Sequence, residues 1–474
     1  MAPPNLLHGL LPHLRLTSHH NIQTLLTQPL PELSGSLGDL GTLLPLMTAL
    51  TLTHSISLPS TLFFTGLANI FSGIAFGIPL PVQPMKAIAA VAIARNFSLE
   101  ETAASGLVVA ALVGIMSVTG LIRWASAVTP IQVVKGIQVG AGLSLCLSAG
   151  SSLLTPLTWT GPWWGDNLLL SLLAALLLLL TLPFPRLPYA LLIFTLGIAL
   201  SPLSPTSPPL NPISGPIFPI LNPSISTFWT ATTTASLGQL PLTLLNSVIA
   251  ASALAADLLP SPPYPPAPSV TALGASVALI NLISCWFGAM PACHGSGGLA
   301  AQYRFGARSG ASVIILGVVK VALGIVAAGA QSSVVRILAG FPRSLLGVLV
   351  LAAGVELAKV GESVNTDARD LWVYDSTSTQ TGGEGESCDG KKLRKVDEQE
   401  RKERWAVMLV TVASLLAFRN DAVGFMAGLC WFWGIRATRA VEAWRERRMR
   451  WRWRPARGSV ESADEEGRGL LGDP

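Results

Sequence analysis

The residues able to do chemistry gather in two stretches. One is Cys293 to Gly310, CHGSGGLAAQYRFGARSG, and the other is Asn69 to Ala90, NIFSGIAFGIPLPVQPMKAIAA. Each breaks a long apolar run with Gly, Pro and hydrogen-bonding side chains. Polar backbone cannot face lipid, so it survives at membrane depth only when protein buries it or when it lines a cavity. Two interrupted segments in corresponding halves of a chain point to the binding site of a transporter. The chemistry on offer is anion recognition. A helix that begins at such a break presents unpaired N–H groups and about half a positive charge. Two such ends facing each other hold an anion without any fixed side-chain charge. Gly295, Gly297 and Gly298 let a ligand approach the backbone, Ser296 and His294 add donors, and Gln83 donates from the other stretch. Lys86 falls in the first turn of a short helix. A lysine inside a membrane segment is a functional hypothesis by default. The competing reading pairs Lys86 with Asp39 or a carbonyl, and makes His294 a buried group that only satisfies backbone.

Asp39 and Glu356 are the acids most clearly inside apolar segments, and they are the candidates for coupling or charge balance. Asp39 shares its half of the chain with Lys86, whereas Glu356 has Lys359 beside it. Lys135 stands near a helix start, where its stem can snorkel to the interface. Lys320 also lies inside an apolar run and has no assigned role. Cys285, Cys293 and His294 are close in sequence, but no fourth ligand stands at zinc-like spacing. A Cys293–His294 nucleophile lacks a third, orienting acid. Catalytic residues, metal and cofactor are therefore not expected, and the reading is not that of an enzyme.

The elements that must position these residues are membrane helices. Of 474 residues 50% are hydrophobic and only 12% charged, with mean hydropathy +0.54. A soluble domain carries about twice that charge fraction. An all-α polytopic membrane protein is the class that fits. The net charge of +5 sits in a few loops and the C-terminal tail, as the positive-inside rule asks, so no nucleic-acid partner is expected. Residues 1–33 read as a loose cytosolic tail without a secretory signal pattern. Residues 34–203 hold seven spanning segments, 204–233 form a Pro/Ser-rich connector, and 234–358 hold five more. Ser98 and Glu101 form a capping-box pattern that starts the fourth of them. Residues 359–404 read as a disordered cytosolic insertion. Residues 405–435 supply two short spans, and 436–474 a basic then acidic cytosolic tail. About fourteen spans place both termini on one side, and the arginine and lysine clusters make that side cytosolic.

An internal echo orders these spans. Ser36-Leu37-Gly38-Asp39-Leu40 recurs as Ser236-Leu237-Gly238-Gln239-Leu240. Downstream, Asn69, Ser72, Phe76 and Gly77 recur as Asn281, Ser284, Phe287 and Gly288. Seven is odd, so the second half enters from the opposite side, giving two inverted seven-helix repeats. The half-helices, Met85 to Ala94 and one starting in His294 to Tyr303, third and tenth in the count, then converge N-terminus to N-terminus.

The motifs GDLGTLLPL (Gly38–Leu46), FGIPLPVQPMKAIA (Phe76–Ala89) and CHGSGGLAAQYRFGARSG resemble the signatures of the molybdate transporter family, a branch related to the sulfate permeases. The resemblance spans roughly residues 34 to 440. It implies the sulfate permease and uracil permease fold, with helices 1–4 and 8–11 as a core domain and the others as a gate domain. It also implies secondary-active molybdate transport across a plasma or internal membrane, with Gln83, Lys86, Gly295, Ser296 and Gly297 lining the oxyanion site. Proton coupling through Asp39 or Glu356, a homodimer and lipid contact are further expectations. The alternative is a carrier of sulfate or of tetrahedral oxyanions in general, because backbone donors discriminate poorly between anions of equal charge and shape.

Overall fold

In the computed structural model the described residues are 6–181, 187–205, 218–366, 368–374, 391–394 and 396–452. Seven helices among them are long and apolar enough to cross a membrane. They are Leu58–Phe76 (α4), Leu99–Val118 (α6), Ile131–Leu154 (α7), Ile225–Leu258 (α10), Val270–Phe287 (α11), Ala311–Ala330 within α13, and Arg343–Val364 (α14). Three shorter apolar helices are Thr42–Leu52, inside α3 (Leu40–Leu52), Leu168–Thr181 (α8) and Tyr189–Leu203 (α9). The exposed side chains on these helices include Val118, Leu147, Leu172, Leu180 and Ile325. Water would not tolerate such a continuous apolar surface, and lipid does. The chain is a multi-pass membrane protein.

Two short strands and two half-length helices sit among the spans. Val82–Pro84 (β1) leads into Lys86–Arg95 (α5), and Ala292–His294 (β2) leads into Ser296–Arg304 (α12). The expected starts of both half-helices fall within two residues of those observed. The spans α4 and α11 that precede the strands end alike, at Gly77 with φ 66° and Gly288 with φ 68°. A residue with a Cβ is strained in that left-handed region, so glycine closes both helices.

The spans pack through missing side chains. Gly66 and Gly73 of α4 face Gly317 and Gly310 of α13 (Ala311–Ala339, with Gly310 as its N-cap). A Cβ on Gly317 would lie 2.6 Å from the Gly66 oxygen, and one on Gly66 would lie 2.8 Å from the Gly317 oxygen. Glycine seven residues apart on both helices lets the backbones touch, which is how membrane helices associate without a hydrophobic driving force. At Ala330 (φ −138°, ψ 43°) α13 leaves helical geometry, so its span ends where the apolar run does.

Three expectations need correction. The loose tail assigned to 1–33 is helical over Leu6–Thr27 (α1) and Pro29–Ser36 (α2). His13, Thr17 and Asn21, four residues apart, form one polar stripe on α1. They bind the carbonyls of Ala75 (2.9 Å), Ile74 (2.8 Å) and Gly73 (2.9 Å), acceptors in the last turn of α4. Asn21 Oδ1 also accepts from Gly310 N–H at 2.8 Å. Glu32 accepts from the N–H groups of Arg308 (2.8 Å), Ser309 (3.0 Å) and Ser312 (3.1 Å), capping α13. Second, α10 begins at Ile225, inside the expected 204–233 connector; residues 206–217 of that connector lie outside the described residues.

Third, the ends of the 359–404 insertion are ordered. Trp372–Tyr374 (β3) pairs with Lys391–Leu393 (β4), and α15 starts at Glu398 rather than Trp405. Arg404 is 3% exposed; its guanidinium forks onto Asp370 and donates to the Val364 carbonyl at 2.7 and 2.9 Å. Bidentate geometry of this kind fixes a segment that composition alone reads as polar coil. The disorder expected for 375–390 lies outside the described residues. The last helix, α16, runs Asp421–Arg452, well beyond Trp433. From Cys430 onward the chain is a separate unit. In it Arg436 covers the Phe432 ring at 4.4 Å and Arg448 the Trp444 ring at 5.1 Å. Residues 453–474 lie outside the described residues.

Candidate functional site

The site is built on the crossing of β1 and β2. They pair antiparallel, Val82 with His294, Gln83 with Cys293 and Pro84 with Ala292. Strands this short need outside acceptors, and one asparagine in each half supplies them. Asn69 Oδ1 accepts from Val82 N–H at 2.7 Å, and Asn281 Oδ1 accepts from Ala292 N–H at 2.7 Å. The echo between the two halves is thus functional at this position: the same amide does the same work twice.

The two half-helix N-termini differ. The side-chain oxygen of Gln239 accepts from Ala87 N–H (2.9 Å) and Ile88 N–H (3.3 Å), so α5 arrives already capped. Its amide nitrogen donates to Thr243 Oγ1 at 2.9 Å, which fixes the orientation of the group. No described side chain accepts from the N–H groups of Ser296, Gly297 or Gly298 at the start of α12. The Ser296 hydroxyl donates to Asn246 Oδ1, and the Ser247 hydroxyl donates to Cys293 Sγ at 3.1 Å. Gln239, Thr243, Asn246 and Ser247 all come from α10, which is π-helical over Thr243–Ala250. Wider turns of this kind recur at functional sites because they re-aim side chains. Sequence reasoning missed Thr243, Asn246 and Ser247. Their spacing from Gln239, i+4, i+7 and i+8 on an apolar helix, was the available signal.

Gln83 is 3% exposed and donates to Asp39 Oδ1, which also accepts from Thr42 Oγ1 at 2.7 Å. Its amide lies over the start of α12. A Cβ on Gly298 would lie 2.6 Å from Gln83 Nε2, and one on Gly295 would lie 2.7 Å from Gln83 Cδ. These two glycines therefore make room for Gln83, while Gly297 faces Leu145 at 3.0 Å. Lys86 is half-buried at the first position of α5 and makes no hydrogen bond or ion pair with a described residue. Its charge interacts with Asp39 and Asp421.

Two expected side chains do not line the crossing. His294 is fully buried, hydrogen-bonded through Nε2 to Ser276 at 2.9 Å and edge-on to Phe76. Alternation along β2 turns it to the opposite face from Cys293. Glu356 pairs with Arg304 (3.8 Å) and Lys359 (3.6 Å) instead. Lys135 does not snorkel: it is 1% exposed and donates to Asp257 at 2.7 Å.

Helices interrupted around a buried polar crossing define a membrane transporter architecture. The fold is similar to that of the murine solute carrier 26 family member A9 anion transporter in its inward-facing state. The TM-score is 0.53 at 13% identity, covering 86% of this chain and 68% of that one. Sequence comparison goes further. The model described as molybdate transporter of the MFS superfamily matches residues 31–145 and 231–357. Molybdate transporter 1 of Arabidopsis thaliana is 36% identical over 403 residues, covering 77% of this chain and 87% of the relative. Molybdate transporter 2 of the same plant is 39% identical over 376 residues, covering 71% and 79%. Molybdate transporter 1 of Chlamydomonas reinhardtii is 30% identical over 518 residues, covering 87% and 92%. The chain belongs to the molybdate transporter family.

Proposed function

We propose that this protein carries molybdate across a membrane, with the oxyanion seated on the N-terminus of α12 at the β1–β2 crossing and Lys86 as its counter-charge. The observation that carries the reading is the asymmetry of the two half-helices. One N-terminus is filled by Gln239, and the other presents Ser296, Gly297 and Gly298 without a side-chain cap. Nearby stands a half-buried lysine that makes no hydrogen bond or ion pair with a described residue. Uncapped N–H groups at a helix start are an anion site. Gln83 and Asn246 frame it, and Asp39 holds Gln83.

The same proposal includes two inverted repeats of seven spans with cytosolic termini. The matching asparagines and left-handed glycines of the two halves support the repeat. Transport is secondary-active, with Asp39 balancing the lysine charges at the crossing and Glu356 left out of that role because arginine and lysine already flank it.

The test is molybdate uptake at low concentration in cells lacking their own carrier, with and without a large excess of sulfate. Uptake that persists supports a molybdate carrier. Uptake abolished by sulfate makes the protein a general oxyanion carrier. Lys86→Ala should cut uptake at least about tenfold while the protein still reaches its membrane, the effect of removing one charge-assisted contact. Unchanged uptake would remove Lys86 from the site.

A further inference from the structure

One buried charge beside the crossing has no place in the site so far. Lys320 is on α13 and is 3% exposed. Its stem borders an apolar cavity of about 110 Å³ whose walls include Leu37, Leu40, Leu43, Met47 and Leu316. The ammonium reaches out of it to the carbonyl of Val82, the first residue of β1, at 3.4 Å. A lone ammonium among leucines with one carbonyl is costly, so it needs a counter-charge.

That counter-charge is Asp39. It is 2% exposed, and its charge interacts with that of Lys320, although the two groups are not hydrogen-bonded to each other. One carboxylate oxygen is taken by Thr42 and Gln83; the other, Oδ2, is buried without a hydrogen-bond partner. Lys86 also faces Asp39 from α5, and beyond Lys86 stand Cys293 of β2 and Asp421 at the start of α16. Lys320 thus touches β1 directly and reaches Gln83 through Asp39.

We propose that Lys320 is a positioning residue of the anion site: set against Asp39, it holds β1 and the Gln83 amide where they frame the uncapped start of α12. This rests on the reading of that crossing as the anion site. A lysine interior to an apolar helix thereby gains a task that no residue of the two motif stretches performs.

The experiment is a double-mutant cycle in the full chain, using Lys320→Met, Asp39→Asn and both together. Thermal melting in detergent and molybdate uptake are measured on each variant. Asp39→Asn leaves Lys320 buried and unopposed, and Lys320→Met leaves Asp39 with only the half-buried Lys86 as counter-charge; breaking a buried pair is destabilising. Uptake should fall at least about tenfold in Lys320→Met. The double variant removes both fully buried charges together, and the side-chain amide that replaces the Asp39 carboxylate still accepts from Gln83 and Thr42. It should therefore melt higher and transport several-fold faster than Lys320→Met. Additive losses in the double variant, or wild-type uptake in Lys320→Met, overturn the proposal. If Lys320→Met fails to reach the membrane, the double variant decides alone: folded and transporting supports the pairing, folded and inactive overturns it. The site reading fails separately. A coupled melting cycle alongside normal uptake in Lys86→Ala would keep the Lys320–Asp39 pair and remove the anion from the crossing.

Discussion

Gly295→Ala is the sharpest probe of the crossing. Gly295 has φ −108° and ψ 126°, ordinary extended backbone, so alanine costs nothing in the main chain there. The cost is steric and falls on one neighbour. The new methyl would sit 2.7 Å from Gln83 Cδ and closer still to Oε1, so the amide must move. Moving it breaks the donation to Asp39, leaving that buried carboxylate with Thr42 alone. A hydrogen bond to a charged group is worth about 1.5–3 kcal/mol. If the loss falls on the binding-competent state, apparent affinity drops by about ten- to a hundredfold. The assay is concentration-dependent molybdate uptake, with surface protein quantified in the same cells. Gly295→Ala/Gln83→Ala separates clash from function: removing the amide should relieve the clash and restore the melting temperature, but not the affinity. Wild-type affinity in Gly295→Ala would refute the claim that Gln83 must lie over the start of α12.

Three further outcomes follow from two other contacts. Gln239→Met removes the acceptor for two buried N–H groups of α5, each worth about 1–3 kcal/mol when left unpaired, so melting temperature and uptake should both fall. Gln239→Glu keeps the acceptor and should keep the melting temperature, but its charge beside the site should weaken molybdate binding. Arg404→Met breaks the fork onto Asp370. Because Asp370 is partly exposed the loss is limited to about 1–3 kcal/mol. Melting should drop while apparent affinity for molybdate is unchanged, since the clamp touches no residue of the crossing; a changed affinity would link the insertion to transport.

The breaks themselves were legible. Gly and Pro inside apolar runs can only mean broken helices at membrane depth, so Lys86–Arg95 and Ser296–Arg304 were found nearly to the residue. So was the Ser98–Glu101 capping box that starts α6, a rule with a fixed three-residue spacing. The N-terminal helices were hidden because their value is in acceptors elsewhere. His13, Thr17 and Asn21 look like a polar tail until the carbonyls at the end of α4 stand opposite them. Arg404 was hidden for the same reason, its partners lying 34 and 40 residues away in a stretch rich in charge.

What the sequence determined by itself is everything governed by local physics: a membrane protein, the places where its helices break, and the residue types offered there. Hydropathy, proline and glycine act within a few residues, and no partner is needed to read them. Which group meets which was decided only in three dimensions. Gln239, in sequence merely a missing acid, fills one helix N-terminus. Gly295 and Gly298 make room for a glutamine from the other half of the chain. His294 turns away by strand alternation, and Lys320 reaches the Val82 carbonyl from a helix 238 residues further on. Each of these depends on which helices lie side by side, a property of the packed whole that no single segment carries.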